Sequence, residues 1–366
     1  AAASGIAECQ LSGGSGSVDG MTPASALVDQ RSRPLRVLRL SLTARCNLAC
    51  PYCCPDLEDP PDLLSLEQQL RLIRVACRLG IHTLRLTGGE PLLSARLLPL
   101  LQAIAAARAT PGDPLQGLQQ VALTTNGTLL SDQRACDLRQ AGLDRITVSL
   151  DGVDGAVVAR MAGRPTATAG DSLVRKVLGG LASARSAGFD PLAGELKLNA
   201  VIQRGVNEDQ LLPLADLARD QGVELRLIEY MDVGNRNQWR PDQVLSAAEM
   251  VTRIRARWPL QAVGRPTGGT AQRWRYVDGG GHLGVIASIS EPFCGDCNRL
   301  RVTADGQAFR CLFASVGTDL KPALHCEAEL LRLVADLWRR RDDRYSEERQ
   351  RTTGSMPHAE MAYLGG

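Results

Sequence analysis

Two groups of three cysteines are the residues in this 366-residue sequence whose type and spacing point most clearly to chemistry. The first group is Cys46, Cys50 and Cys53, which lies on a polar loop. Three thiolates cannot complete a four-coordinate structural zinc site, whereas on a 4Fe–4S cluster they leave one iron open to a small molecule. The tight grouping therefore favours an open cluster over a partial zinc site or over thiols buried as small apolar side chains.

The second group is Cys294, Cys297 and Cys311, which again supplies three thiols. The nearest candidates for a fourth zinc ligand, His325 and Cys326, are distant in the sequence and belong to a helical pattern. Zinc is therefore the less favoured interpretation. We predict a second 4Fe–4S cluster whose open iron is available to the substrate.

Basic side chains interrupt strand patterns that are otherwise apolar, at Arg39, Arg85, Lys197 and Arg226. A buried cation is costly unless an anion pairs with it. Snorkelling at a strand end, or an ion pair with a helix, would explain one such residue. Four of them, with Arg299 and Arg301 close to the second cysteine group, favour an anionic ligand, and arginine is the side chain best suited to phosphate.

Composition excludes several classes of protein. The 42 Lys and Arg against 40 Asp and Glu give a formal charge of +2, which argues against general binding of nucleic acid. No apolar run approaches the roughly 20 residues of a membrane span, and residues 1–33 lack the apolar core of a signal peptide. Six of the eleven cysteines fall in two groups, and this grouping, in place of pairs spread along the chain, indicates a reducing and therefore cytoplasmic location.

Alternating strand and helix patterns must position these residues. Six apolar runs predict strands, at 37–43, 83–87, 120–125, 145–150, 195–202 and 223–229. Helical patterns follow them, at 65–79, 94–108, 131–141, 170–187, 208–220 and 246–257. Six such units predict a parallel α/β architecture, either an incomplete barrel or an open sheet. Capping boxes at Ser65 and Ser246 support two of the helix starts.

After residue 258 the pattern changes to glycine-rich turns and short strands such as 283–289. A hairpin is expected at Asp305-Gly306 and a helix near 325–341. Met21 is an alternative start within a polar lead. We therefore predict three regions, namely a disordered lead over 1–33, an α/β barrel region over 34–258 and a C-terminal region over 259–366 with the second cysteine group.

The first cysteine group, with an aromatic residue before its last cysteine, resembles the motif of the radical S-adenosylmethionine (SAM) superfamily. The end of the second strand, Thr87-Gly88-Gly89-Glu90-Pro91, is similar to the superfamily's SAM-binding glycine motif. The resemblance implies an incomplete (βα)6 TIM-like barrel and a first 4Fe–4S cluster on Cys46, Cys50 and Cys53. It implies contacts to SAM at Tyr52, Gly89, Glu90, Ser149 and Met231.

The C-terminal motifs narrow the resemblance. The segment from Phe293 to Arg301, FCGDCNRLR, and the terminal Gly365-Gly366 closely resemble the GTP 3′,8-cyclase family, with a match from about residue 35 to 366. The resemblance implies a second 4Fe–4S cluster on Cys294, Cys297 and Cys311. The implied GTP-binding positions are Arg39, Arg85, Thr125, Lys197, Arg299 and Arg301. The implied catalytic positions are Arg226, Arg299, Arg301, Gly365 and Gly366.

The reaction that this resemblance implies is a radical cyclisation in the first step of molybdenum cofactor biosynthesis. Reductive cleavage of SAM yields a radical that removes the 3′ hydrogen of GTP, and the ribose then closes onto carbon 8 of guanine. The product is (8S)-3′,8-cyclo-7,8-dihydroguanosine 5′-triphosphate. The implied partners are GTP, a one-electron reductant and the cyclic pyranopterin monophosphate synthase that takes the product. A homodimer is a further expectation, whereas nucleic acid and membrane partners are not expected.

One position departs from the family pattern, and one alternative function stays open. Family members commonly carry a lysine where this chain has Thr83, so a phosphate contact is either missing or supplied elsewhere. The alternative is another radical SAM enzyme with an auxiliary cluster that acts on a peptide. Such enzymes usually carry more cysteines in their C-terminal part than the three grouped here, so GTP is the favoured substrate.

Overall fold

The computed structural model describes residues 27–349 and 358–365. The strands of this part of the chain form one mixed sheet of twelve. In chain order they are Val37–Ser41 (β1), Thr83–Thr87 (β2), Gln120–Thr125 (β3), Arg145–Ser149 (β4), Leu196–Ile202 (β5), Glu224–Glu229 (β6), Leu260–Gly264 (β7), Gln272–Tyr276 (β8), His282–Ile286 (β9), Arg299–Val302 (β10), Gln307–Phe309 (β11) and Thr318–Asp319 (β12).

Helices follow each of the first six strands and also occur near the C-terminus. In chain order the helices of the described residues are Leu66–Arg78 (α1), Leu97–Ala109 (α2), Asp132–Gln140 (α3), Gly155–Met161 (α4), Ala167–Ser186 (α5), Leu211–Asp220 (α6), Ala247–Arg255 (α7), Glu327–Arg339 (α8), Tyr345–Glu348 (α9) and Met361–Leu364 (α10). Each of these helices is too short or too polar to cross a membrane.

Eight neighbouring strands of the sheet run parallel, in the order β10-β1-β2-β3-β4-β5-β6-β9. The expected six strand–helix units are therefore present, and the C-terminal region adds one parallel strand at each end of them. Residues 287–298, which contain Cys294 and Cys297, connect these two outer strands. The region after residue 258 thus continues the barrel sheet instead of packing beside it as a separate layer.

Strict alternation along the strands separates the core from the barrel interior. Leu38 and Leu40 of β1 are fully buried between the sheet and the helices, as are Leu84 and Leu86 of β2. The residues between them point the other way, and the register aligns Arg39 with Arg85 on one side and with Arg301 on the other. The apolar runs of the sequence therefore form the outer core, while the cations that interrupt them face inward.

Most of the predicted elements are confirmed within about three residues, and both capping boxes are present at Ser65 and Ser246. The expected hairpin forms between β10 and β11. Helix α4 was not predicted, because its seven residues contain two consecutive valines and give too short an apolar period. Asp154 starts it by accepting hydrogen bonds from the backbone N–H groups of Ala156 and Val157.

The predicted disordered lead ends too late in the sequence. Residues 27–33 pack against the second cysteine group, and the side chains of Asp29 and Arg33 are buried as an ion pair of 2.6 Å. The sequence gave no sign that these two charged residues are buried, because their further partners, Arg341 for Asp29 and the Cys294 and Asp343 carbonyl oxygens for Arg33, lie more than 250 residues away. Residues 1–26, including the alternative start at Met21, lie outside the described residues.

Candidate active site

The first cysteine group lies on the loop between β1 and α1, at the carboxyl end of the parallel strands, where barrels carry their active sites. Burial raises the pKa of all three thiols, to about 12 for Cys53, and charge on Cys46 further raises the pKa of Cys50 and of Cys53. The backbone N–H of Leu48 and the side-chain amide of Asn126 donate to the Sγ of Cys46, at 3.4 and 3.7 Å. The three thiols therefore converge on one place.

The turn after β2 holds this loop in position. The backbone N–H groups of Gly89 and Glu90 donate to the carbonyl oxygens of Thr43 and Arg45, both at 2.8 Å. A Cβ atom on Gly89 would lie 2.3 Å from the Arg45 carbonyl oxygen, a distance that no side chain tolerates. Glycine at 89 is thus required for the backbone of the cysteine loop to approach.

Glu90 is completely buried, and its carboxylate is occupied by groups of the chain itself. One oxygen accepts from the Thr125 hydroxyl at 2.7 Å and from the Leu92 backbone, and the other accepts from the Asn126 backbone at 2.8 Å. Glu90 therefore fixes Asn126, the residue that reaches Cys46. Sequence analysis did not single out Asn126, although its place directly after β3 brings it to the same end of the barrel as the cysteines.

The other predicted SAM positions surround the same end of the barrel. The Tyr52 hydroxyl donates to Asp151 at 2.7 Å, and burial raises the pKa of this carboxyl to about 6. Ser149 ends β4 beside Asn199 of β5. Met231 follows β6 and lines the cavity described next. The structure thus brings Ser149 and Met231 to the barrel mouth and turns the Tyr52 hydroxyl toward the end of β4.

The second cysteine group opens onto a cavity inside the barrel. Cys294, Cys297 and Cys311 all line it, and it holds about 1050 Å³ of empty space, including its open mouth. Five predicted cations line the same cavity, namely Arg39, Arg85, Arg226, Arg299 and Arg301. Residues separated by more than 250 positions in the sequence therefore share one space.

The pKa values of the three thiols of the second group shift in different directions. Burial would raise the pKa of Cys297, but the guanidinium groups of Arg299 and Arg341 outweigh it and lower this pKa to about 6. Burial raises the pKa of Cys311 to about 11 and also raises that of Cys294, and charge on Cys297 adds to both shifts. Arg341, which sequence analysis missed in an Arg-rich C-terminal segment, donates to the Cys297 Sγ at 3.1 Å.

The donor set of each group fits a polynuclear cluster. Among the described residues, no three Cys, His, Asp or Glu side chains are close enough to bind a single metal ion. The thiols of each group nevertheless converge closely enough to influence one another's pKa. Ligands of a cluster stand farther apart than ligands of one ion, so three converging thiols fit a 4Fe–4S cluster with one iron left for another ligand.

Cations crowd the inner face of the barrel with few anions. Burial, followed by repulsion from neighbouring guanidinium groups, lowers the pKa of Arg39 and Arg85 and lowers that of Arg301 to about 10. Within the described part of the chain, no carboxylate pairs with Arg85 or Arg301, and the Nε of Arg301 is buried without a hydrogen-bond partner. Such an arrangement favours an anionic ligand, because it would relieve the repulsion.

Lys197 is placed differently from the arginines. Its ammonium pairs with Glu224 at 3.1 Å, and this carboxylate also accepts from Arg226 at 2.7 Å and from Arg273 at 3.0 Å. Burial, with repulsion from Arg226, lowers the pKa of Lys197 to about 8. Lys197 does not line the cavity of the second cysteine group. The carboxylate of Glu224, which sequence analysis did not identify, thus neutralises part of the charge.

The structure does not bring Thr125 into the cavity. Thr125 faces the helices, where its hydroxyl donates to Glu90, and its neighbour Thr124 lines the cavity instead. Because adjacent strand residues point to opposite faces, an error of one position exchanges the inside of a barrel for its outer core. The repeated threonine in the sequence gave no means of choosing between the two.

The opposite end of the barrel contains a second cavity, of about 650 Å³. Thr83, the position that departs from the family pattern, lies there beside Arg85 and Arg226. Arg145 and Arg273 also line this cavity. Sequence analysis passed over Arg145 because it is the first residue of its strand, a position where a cation usually reaches solvent.

The C-terminal tail enters the barrel. The carbonyl oxygen of Gly365 accepts hydrogen bonds from the Arg39 guanidinium at 2.6 Å and from the Thr87 hydroxyl at 2.9 Å. Gly365 has φ of 75°, and a Cβ atom there would lie 2.5 Å from the Thr87 methyl carbon. Glycine therefore suits this position on both counts. Gly366, the other predicted tail residue, lies outside the described residues.

Two family models together match most of the chain. Residues 40–218 match the radical SAM superfamily, and residues 223–347 match Molybdenum Cofactor Synthesis C. A protein of Parasynechococcus marenigrum named GTP 3′,8-cyclase is 99% identical over 94% of this chain and 100% of its own length. A protein of the same name from Xanthomonas campestris pv. campestris is 46% identical over 94% of this chain and 98% of its own length.

Solved structures resemble the fold at much lower identity. Streptococcus suis SuiB bound to S-adenosylmethionine has a TM-score of 0.57 and 16% identity, over 91% of this chain and 72% of SuiB. SuiB bound to its precursor peptide SuiA has a TM-score of 0.59 and 15% identity, over 91% of this chain and 71% of SuiB. At these identities the likeness concerns the arrangement of strands and helices.

Proposed function

This chain belongs to the GTP 3′,8-cyclase family of radical SAM enzymes, and we propose that the cavity of the second cysteine group is where it acts on GTP. The enzyme is a lyase of molybdenum cofactor synthesis that converts GTP to (8S)-3′,8-cyclo-7,8-dihydroguanosine 5′-triphosphate. The observation that carries the proposal for the site is one cavity lined by six arginines and the three thiols of the second cysteine group.

Charge supports a triphosphate in this cavity. Arg301 is buried and Arg85 is half-buried, and neither has a carboxylate partner in the described part of the chain. Arg39 and Arg299 lie beside them. Planar guanidinium groups bind phosphate oxygens in pairs, so a cluster of them selects a polyanion over a neutral peptide. Thr124 replaces Thr125 in the proposed contact set, because Thr124 is the one of the two that lines the cavity.

Position along the barrel supports the orientation of GTP. The second cysteine group would hold the second 4Fe–4S cluster at one side of the cavity, and its open iron would accept the guanine. With the triphosphate on the arginines, the ribose is fixed between the base and the phosphates. Arg226, Arg299 and Arg301, which contact this space, are therefore proposed as catalytic residues that hold the reacting sugar in place.

The first cysteine group would hold the other 4Fe–4S cluster, with SAM contacts at Tyr52, Gly89, Ser149 and Met231. When bound, this cluster and SAM supply the one-electron chemistry that removes a hydrogen atom from the ribose. Gly89 keeps the cysteine loop close to β2. Met231 lines the cavity at the end of the barrel where SAM is proposed to bind. The carboxylate of Glu90 is already occupied, so we propose that Glu90 acts by positioning Asn126 beside Cys46.

Lys197 and the tail complete the proposed site. Lys197 shares Glu224 with Arg226, so it affects GTP through the orientation of Arg226 and adds no free charge of its own. Gly365 places its carbonyl oxygen on Arg39, one of the proposed phosphate ligands. The tail, with Gly366 at its end, is therefore proposed to hold Arg39 in the direction that the triphosphate requires.

The reaction also implies partners. SAM cleavage consumes one electron, so we propose an external one-electron reductant and transfer of the product to the cyclic pyranopterin monophosphate synthase. A homodimer is proposed on family resemblance alone. The peptide-acting alternative is not favoured, because relatives up to 99% identical are named GTP 3′,8-cyclase, whereas the likeness to SuiB concerns the fold.

Anaerobic reconstitution followed by an assay tests the proposal. Iron and sulfide analysis should give about eight of each per chain, as two 4Fe–4S clusters require. Reduced enzyme with SAM should then convert GTP to the cyclic triphosphate, identified by mass spectrometry. About four iron atoms per chain, or equal turnover of a peptide in place of GTP, would overturn the assignment of the site.

A further inference from the structure

The side chain of Arg341 lies between the second cysteine group and the N-terminal segment. One nitrogen, Nη2, donates to the Cys297 Sγ at 3.1 Å, and Nη1 donates to the Cys297 carbonyl oxygen at 2.6 Å. The third nitrogen, Nε, donates to the Arg310 carbonyl oxygen at 3.0 Å. The guanidinium is thus bound on three sides and directed at one cysteine.

Burial makes this arrangement rigid. The Arg341 side chain is 2% exposed, and its guanidinium lies over the ring of Trp338 at 4.6 Å. Asp29, which is fully buried, pairs with Arg341 at 3.2 Å and with Arg33 at 2.6 Å. A side chain held in this way cannot turn toward water, so its direction toward Cys297 is set by the fold.

The N-terminal segment therefore contributes to the second cysteine group. Arg33 donates to the carbonyl oxygens of Cys294 and Asp343, at 2.8 and 2.9 Å. Asp29 holds Arg33 and Arg341 together. Two buried guanidinium groups thus fix the backbone of Cys294 and the backbone and sulfur of Cys297.

The sulfur contacts of the two cysteine groups differ in charge. Cys46 of the first group accepts from neutral donors, the backbone of Leu48 and the amide of Asn126. Among the hydrogen bonds of the described residues, only the bond from Arg341 to Cys297 connects a cation to a sulfur of either group. Charge-assisted hydrogen bonds are roughly twice as strong as neutral ones.

We propose that Arg341 is a positioning residue that raises the reduction potential of the cluster on the second cysteine group through its hydrogen bond to Cys297. The inference rests on the second cluster of the proposed function. One-electron reduction adds negative charge to a cluster and its sulfur ligands, and a fixed cation that donates to a sulfur stabilises the reduced state. The first cluster, whose sulfur contacts are neutral, receives no such shift.

Potentiometric titration monitored by electron paramagnetic resonance tests this in Arg341→Gln, with the enzyme loaded anaerobically and free of GTP. At the potential where the second cluster of the unaltered enzyme is half reduced, the ratio of reduced to oxidised cluster should fall about tenfold, a shift of about 59 mV for one electron. The first cluster in the same sample is an internal control and should keep its potential. An unchanged potential of the second cluster would overturn the proposal.

Two further variants separate charge from packing. Arg341→Lys keeps a buried cation and should restore part of the shift, whereas Arg339→Gln removes an exposed arginine of the same segment and should leave both potentials unchanged. If Arg341→Gln fails to assemble the second cluster, Arg341→Lys decides, because the proposal predicts that the second cluster of this variant has a lower potential than that of the unaltered enzyme. Normal assembly with the potential of the unaltered enzyme would contradict the proposal. Absence of a second cluster signal in the unaltered enzyme would instead refute the proposed second cluster itself.

Discussion

The guanidinium of Arg39 donates a hydrogen bond of 2.6 Å to the carbonyl oxygen of Gly365, which joins the first strand of the barrel to the last described residue of the chain. Arg39 also belongs to the group of arginines around the cavity. The tail is therefore connected to the proposed phosphate site by direct contact. A small substitution at Gly365 should therefore disturb the position of Arg39 in the proposed phosphate site.

Gly365→Ala should reduce turnover of GTP by about 10²-fold, because the added methyl group would displace the tail and with it Arg39. Cluster content and thermal stability should stay close to those of the unaltered enzyme. Gly222→Ala is the matched control, since Gly222 also has positive φ, 61°, but has nothing within 4 Å of an added Cβ. Equal losses of activity in the two variants would show that strain, and not the tail contact, is responsible.

Cys294→Ala should remove GTP turnover while the first cluster and SAM binding persist. The iron content should fall from about eight to about four per chain, because two remaining thiols do not hold the second cluster. Cys54→Ala, next to the first cysteine group, is the control and should keep both iron and activity, since its thiol donates to the Pro51 carbonyl oxygen. Normal turnover in Cys294→Ala would refute the assigned role of the second group.

Arg301→Met should separate binding from stability. Loss of this buried arginine should sharply weaken GTP binding and turnover, yet the ligand-free protein should lose no stability, since no carboxylate of the described residues pairs with it. Arg33→Met should behave oppositely in denaturant titrations and cost about 3 kcal/mol, because it leaves the buried Asp29 with one partner fewer. Near-normal turnover in Arg301→Met would mean that this arginine does not contact substrate.

The two adjacent threonines provide a test of which face of β3 meets the substrate. Thr124→Val should raise the KM for GTP several-fold and leave stability unchanged, because Thr124 lines the cavity and its hydroxyl is proposed to contact GTP. Thr125→Val should leave the KM unchanged and destabilise the protein by about 1–3 kcal/mol, because Glu90 loses a buried hydrogen-bond donor. The reverse pattern would restore Thr125 as the GTP-binding residue.

The elements of the barrel could be predicted from the sequence because each has a local signature. The six strands were recognisable as apolar runs, and Ser65 and Ser246 marked helix starts through interactions within four residues. The cations on those strands were recognisable for the same reason, since a charge in an apolar run is visible without knowing its neighbours. The inward direction of Arg39 and Arg85 then followed from alternation.

The partners of those residues could not be predicted, because they come from remote parts of the chain. Glu224 forms an ion pair with Lys197, and Asp29 forms one with Arg341, which lies 312 residues away in the sequence. Only the folded chain therefore shows which charges are already neutralised. To choose between Thr124 and Thr125, one has to know which face of the strand each occupies. To place the end of the N-terminal lead, one has to know that Arg33 is buried. Each of these depends on tertiary packing, which has no local signal.

The central claim is that GTP binds in the cavity with its base at the second cluster and its triphosphate on the arginines. Electron paramagnetic resonance of the loaded, reduced enzyme during titration with GTP tests it most directly. We predict that GTP alters the spectrum of the second cluster alone, and that Arg85→Met requires at least about tenfold more GTP for the same change. An unaltered second-cluster spectrum at a GTP concentration that saturates turnover would contradict the account.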